Sequence, residues 1–167
     1  MARTIALRLL SAAPRSRAQL AEKLAARDVP DDVADALLDR YEEVGLLDDA
    51  AYADMLVRTR HAERGLARRA LAQELRRKGI DGDVAQAALE QVEDEDELTA
   101  ARTLVARRVD ATRGLEREKR RRRLGGMLAR KGYPPGVAMR VVDEALAAEG
   151  QDGAEDSNDA EHLDDLP

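Results

Sequence analysis

The segment 75–84, LRRKGIDGDV, reads as one helix ending, a tight turn, and a second helix beginning. Leu75 continues a stripe set by Leu71, and Arg76, Arg77 and Lys78 follow it, where the negative end of a helix dipole favours cations. Gly79 supplies the left-handed backbone that commonly stops a helix. The pattern recurs at 24–33, LAARDVPDDV, and at 128–137, LARKGYPPGV. Leu20, Leu24, Val29, Val33 and Leu37 are spaced like Leu71, Leu75, Ile80, Val84 and Ala88, and like Leu124, Leu128, Tyr133, Val137 and Val141: each set has offsets of 4, 9, 13 and 17 from its first member. The copies begin 51 and 53 residues apart. Asp28 stands in the first copy where Gly79 and Gly132 stand in the others, a weaker fit to a left-handed turn.

A repeat of this length holds three helices. The strong helix formers Ala, Leu, Arg and Glu dominate, and no sustained alternation of β-branched residues supports a strand. Ser16 is placed to cap a helix through Leu20 and Leu24, the Asp pair of VPDD opens another that Gly45 stops, and Asp48 caps a third whose stripe reads Tyr52, Met55, Leu56 and Thr59. Gly65, Gly114 and Pro134–Pro135 punctuate the rest. The fold class expected is all-α: three tandem three-helix repeats, about nine helices, stacked into an elongated curved rod. The units fall at about 1–47, 48–98 and 99–149, followed by a tail, 150–167, of one charge sign that is expected to be disordered. The alternative is a single irregular helical bundle whose offsets coincide by chance. One such unit, nearly free of aromatics, buries little alone, so its neighbours must supply the remaining burial.

The 167 residues include no Cys, Trp or Phe and only two histidines, His61 and His162, which excludes thiolate chemistry, disulfides and iron–sulfur clusters and leaves little for a zinc site. No phosphate-binding GxxxxGK[ST], dinucleotide GxGxxG or HExxH motif is present, so neither an enzyme nor a cofactor is expected. His61 reads as a solvated surface residue, and His162 likewise. The run Glu93–Glu97 reads as a solvated helix junction, because five successive helical positions point in five directions. No stretch is apolar enough to span a bilayer, and the start is a poor signal peptide, so a soluble cytoplasmic protein without membrane association is expected.

Net charge is −6, but it mixes two regions. The tail carries seven acids and no Lys or Arg, which leaves the body near neutral. Within that body, 102–131 holds 12 basic and 3 acidic residues, and 58–78 holds 8 and 2. The first cluster offers Arg117, Lys119, Arg120, Arg121, Arg122, Arg123, Arg130 and Lys131. Extending the Leu124–Leu128 stripe backwards leads into Arg121, Arg120 and Arg117, and positions 119–123 together cover the whole helix circumference. Arginine suits bidentate contact with phosphate or carboxylate. The second cluster offers Arg58, Arg60, Arg64, Arg68, Arg69, Arg76, Arg77 and Lys78. Against a binding role stand a solvated arm paired with Glu116 and Glu118, an Arg68 stem covering apolar surface, and a helix end merely matched to its dipole.

Several strings carry a resemblance. Residues 7–60, from LRLLSAAPRS to VRTR, the string ALAQELRRKGID (70–81) and LGGMLARKGYPPGVAMRVVDEAL (124–146) are similar to the RecX family, bacterial regulators of the RecA recombinase, and the likeness covers about 3–149. It implies a non-enzymatic protein of three helical units that lies in the groove of a RecA–DNA filament and restrains its ATP hydrolysis and strand exchange. The partners implied are the RecA filament and the single-stranded DNA within or beside it, and the chain is expected to be a monomer. The alternative is a sequence-independent nucleic-acid-binding protein relying on phosphate contacts. Against it, Tyr52 and Tyr133 fall on expected core stripes, leaving no platform for stacked bases. A plain helical scaffold is a third option.

Overall fold

The computed structural model describes residues 1–160, with side chains through Gln151. Among the described residues it contains nine α-helices, one short 3-10 turn and no strand. Contacts divide them into two compact units. The first holds α1 (Ala2–Ala12), α2 (Arg17–Ala25), α3 (Asp31–Glu43), α4 (Asp49–Arg64), α5 (Arg68–Arg77) and α6 (Gly82–Leu89). The second holds α7 (Asp94–Ala106), a 3-10 turn at Asp110–Thr112, α8 (Arg117–Arg130) and α9 (Pro135–Ala160), together with the three residues Gly65–Ala67.

Each repeat makes the same turn. The amide of Asp28 donates to Ala25 and that of Val29 to Leu24; Gly79 donates to Arg76 and Ile80 to Leu75; Gly132 donates to Ala129 and Tyr133 to Leu128. This double bond pattern closes a helix around one left-handed residue. Asp28, Gly79 and Gly132 have φ of 59°, 75° and 92°. The first copy therefore adopts the turn despite its side chain. After the turn the next helix folds back on the one before it: α3 on α2, α6 on α5 and α9 on α8.

The repeated apolar positions do not all face the core. Offsets 0 and 4 are buried in every copy: Leu20 and Leu24, Leu71 and Leu75, Leu124 and Leu128. At offset 13, Val33 is 45% and Val84 39% exposed, and Val137 is half-buried. The next residue is buried instead, and it is alanine in all three copies: Ala34, Ala85 and Ala138. A small residue lets the returning helix approach closely, which turns the valine outward. A similar rotation affects α4, where Ala53, Leu56 and Val57 are buried while Tyr52, Met55 and Thr59 are half-buried. The stripe expected there is off by about one position, because alanine and valine, not the aromatic, face the neighbouring α5 and α6.

Within the first unit, α1, α2 and α3 enclose Ala6, Leu20, Leu24, Ala34, Leu38, Tyr41 and Leu47. Ser16 forms a capping box with Gln19, and its hydroxyl donates to the Lys78 carbonyl at the end of α5. The Arg17 amide donates to Asp49 at 2.8 Å, and a Cβ on Gly79 would stand 2.2 Å from that of Ala18. The α5 turn thus seats directly on the start of α2. In the second unit α7 and α8 pack against α9 around Val105, Leu124, Leu128, Tyr133, Val141 and Val142. Each fully buried leucine removes roughly 1.5–3 kcal/mol of apolar exposure. The Tyr133 hydroxyl donates to the Gly65 carbonyl at 2.7 Å, and the Ala67 amide to the Lys131 carbonyl at 2.9 Å, which ties 65–67 to this unit.

The acids of 94–97 fill the first turn of α7 as expected, but Glu97 is buried rather than solvated. The α9 backbone continues to Ala160, past the start of the acidic segment at Gly150, since no proline interrupts it. Residues 161–167, to which the expectation of disorder also applies, lie outside the described residues, and His162 with them. No helix among the described residues is long and apolar enough to cross a membrane.

Candidate functional site

Helix α8 separates its cations into two groups. Leu124 and Leu128 fix its buried side against α9, and Arg120 and Arg121 flank that side. Arg120 is held firmly: its guanidinium donates to Thr112 Oγ1 at 2.9 Å, to the Val109 carbonyl at 3.2 Å and to Glu149 at 2.7 Å, and only 15% of its side chain is exposed. Arg113 reaches the same Glu149 at 3.4 Å. Arg121 pairs with Asp143 through two bonds, of 2.8 and 3.1 Å. The hydrogen bond and charge of Arg121 hold the Asp143 carboxyl below its usual range, aided by the nearby charge of Arg117. Partial burial works against ionised Glu149, yet Arg120 and Arg113 hold it below the usual range as well. Arg120 and Arg121 are therefore tied to their own chain. Their carboxylate partners, Glu149 and Asp143, are on α9 and are not the Glu116 and Glu118 of the alternative reading.

The opposite side of α8 carries Lys119, Arg122, Arg123 and Arg130, all exposed. Their spacing, i, i+3, i+4 and i+11, places them on one face. Gly126 lies among them at half exposure, and Arg130 Nη1 would sit 3.5 Å from a Cβ there. Among the side chains of residues 1–151, no carboxylate lies within ion-pair distance of these four. Arg117 is exposed at the first residue of the helix, and Lys131 is half-buried at its end.

In the first unit, Arg69, Arg76 and Arg77 share an exposed stripe of α5 with Gln73, opposite Leu71 and Leu75. Arg58 is exposed on α4, and Arg64 is exposed at its C-terminus. Arg60 is half-buried and bonds Glu74 at 3.2 Å. Arg68 is half-buried. Lys78 is also half-buried, and its carbonyl serves the Ser16 hydroxyl. The outward cations of this unit are thus Arg58, Arg64, Arg69, Arg76 and Arg77.

One cluster of ion pairs, centred on Arg17, is not apparent from local spacing. Arg17 bonds Asp39 at 2.8 Å and Glu42 at 2.9 Å, and these bonds and charges raise its pKa although burial opposes them. Arg17 occupies in the first repeat the place of Arg121 in the third, and Asp39 the place of Asp143. The signal was present: three residues before the first leucine of every copy stands an arginine (Arg17, Arg68, Arg121), and nineteen after it an acid (Asp39, Glu90, Asp143). In the first and third copies this arginine clamps the first helix of the repeat's hairpin to the second.

The aromatic hydroxyls offer little for catalysis. Burial first, then the nearby Glu97, push the Tyr133 phenol above its ordinary pKa, and its proton is committed to Gly65. Tyr52 is raised mainly by burial, against the lowering influence of Arg60 and Arg15. Tyr52 also lines an open apolar groove of the first unit with Leu7, Leu10, Leu46 and Met55.

The chain matches three family models, described as the first, second and third three-helix domains of RecX, at residues 2–40, 48–89 and 94–142. A protein of Streptomyces coelicolor named Regulatory protein RecX is 56% identical over 151 residues, 90% of this chain and 80% of its own length. One of the same name from Thermobifida fusca is 56% identical over 149 residues, 89% of this chain and 80% of that one. Among solved structures, RecX from Lactobacillus salivarius superposes with a TM-score of 0.77 at 22% identity, covering 86% of this chain and 93% of that one, a likeness of fold. With three consecutive domain matches and relatives alike over most of both lengths, the chain belongs to the RecX family of regulatory proteins.

Proposed function

We propose that this protein binds the RecA–DNA filament in the cytoplasm and restrains its ATP hydrolysis and strand exchange, acting without a cofactor and through outward cationic faces of its helical units. The observation that supports this most is the outer face of α8, where Lys119, Arg122, Arg123 and Arg130 stand together with no carboxylate of residues 1–151 within ion-pair distance. Like charges held this close repel one another, and an anionic partner relieves that cost. Guanidinium groups suit both candidate partners, DNA phosphate and recombinase carboxylates. The α5 stripe of Arg69, Arg76 and Arg77 is a second contact of the same kind.

Sequence-independent binding to nucleic acid alone is the weaker reading. Tyr41 and Tyr133 are buried and Tyr52 half-buried, so none offers a free face for stacking a base. The test compares the full chain with a variant carrying Ser at positions 119, 122, 123 and 130. Both are titrated at matched ionic strength against bare single-stranded DNA, free RecA and the nucleotide-bound filament, alongside the RecA ATPase. Preference for the filament, with inhibition lost in the variant, is the expected result. Equal affinity for bare DNA favours the alternative, and undiminished inhibition by the variant removes α8 from the mechanism.

A further inference from the structure

Four features of the second unit converge on its C-terminal acidic segment. The first is position. Glu149 is bonded to Arg120 and Arg113 beside the N-terminal end of α8, so the chain leaves the body at the end of the helix that carries Arg117, Lys119, Arg122 and Arg123. The last described side chain, Gln151, is two residues further on. The second is charge: residues 152–167 contain seven acids and no Lys or Arg. The third is the outer face of α8, where Lys119, Arg122, Arg123 and Arg130 have no carboxylate of residues 1–151 within ion-pair distance. The fourth is that α9 is a poor host for acids at its far end. Its last turn holds no basic residue, and carboxylates there oppose the negative end of the helix dipole. Gly150 and Gly153 lie where the acids begin, and glycine ranks next to proline as the least favourable residue in a helix interior.

We propose that the acidic segment 152–167 docks in cis on the outer face of α8, with α9 opening near Gly150 to allow it, and that a polyanionic partner must displace it to reach that face. The competition rests on the reading of this face given under Proposed function; the docking does not. A tether of a few residues keeps the segment at high effective concentration, so it occupies the face at low ionic strength and is released as salt screens both partners.

The absence of cysteine from the chain allows a direct test. A paramagnetic label on Ser157→Cys in the full chain should broaden the amide resonances of 117–130 at low salt, and the broadening should vanish at high salt. In parallel, a full-length variant with the seven tail acids converted to their amides should bind a fluorescent single-stranded oligonucleotide at least ~3-fold more tightly at low salt, with the difference closing as salt rises. Absence of broadening overturns the docking. Broadening with equal oligonucleotide affinities of the two chains overturns the competition. If neither chain binds the oligonucleotide while broadening persists, the docking stands and the phosphate reading of the α8 face fails.

Discussion

The three turn residues Asp28, Gly79 and Gly132 do one job with two chemistries. At φ of 59°, Asp28 carries the steric cost of a side chain in left-handed backbone, and Gly79, at 75°, avoids it. Gly79 has a second reason to be glycine, the Cβ of Ala18 that any side chain would meet. Opposite outcomes are expected. Asp28→Gly should leave stability unchanged or raise it by up to ~1 kcal/mol, the gain being limited by the greater freedom of an unfolded glycine. Gly79→Ala should lower it by at least ~1–2 kcal/mol. Urea denaturation of both variants checks the pair. The two glycines were legible in the sequence, since positive φ is what glycine at a helix end announces. The aspartate was legible only through the repeat, because its hydrogen-bond pattern comes from the aligned neighbours and not from its own side chain.

Helix pairs are where the sequence reading needed correction. Leucines at offsets 0 and 4 mark the core correctly, and Leu75→Ala should cost ~2–5 kcal/mol by leaving a cavity under a fully buried site. A drop in Tm of under a few degrees would show that Leu75 is not part of that core. The returning helix misleads because hydrophobicity favours valine over alanine, whereas helix separation favours the smaller residue: Ala34, Ala85 and Ala138 are buried, and the preceding Val33 and Val84 stay exposed. Basic residues mislead in the same way, because charge alone does not separate cations clamped to their own chain from those that face outward. Arg120 and Arg121 lie against α9, and their acid partners are 29 and 22 residues away, beyond any local pairing rule. Asp143 and Glu149 lie below their usual pKa in the folded chain. The stability they add is complete above the unfolded carboxyl values near ~4 and is lost as pH falls through the lower folded ones. Asp143→Asn combined with Glu149→Gln should therefore flatten the fall of Tm between about pH 4 and 2.5, and a parent-like slope would place that acid sensitivity elsewhere.

Across the whole molecule the division of cations into clamps and exposed side chains predicts a double dissociation. Arg120→Ser should destabilise by ~1–3 kcal/mol, since it unties Val109, Thr112 and Glu149 together, while binding per folded molecule is retained. Ser at Lys119, Arg122, Arg123 and Arg130 should leave Tm nearly unchanged. If each of the four meets a phosphate, that variant should also reduce the slope of log affinity against log salt by ~3 on single-stranded DNA. Thermal melts and salt titrations on the same samples check both arms, and matching losses in both variants would erase the distinction. All-helical class and threefold repetition were legible from spacing alone. The division into two compact units was not, because it depends on Gly65–Ala67, which lies between α4 and α5 in the chain yet bonds to Lys131 and Tyr133. Anyone dissecting the molecule meets this directly: a fragment starting at Asp94 leaves a buried phenol with no acceptor and uncaps the Lys131 carbonyl, so the third helical set is excised intact only if the tripeptide travels with it.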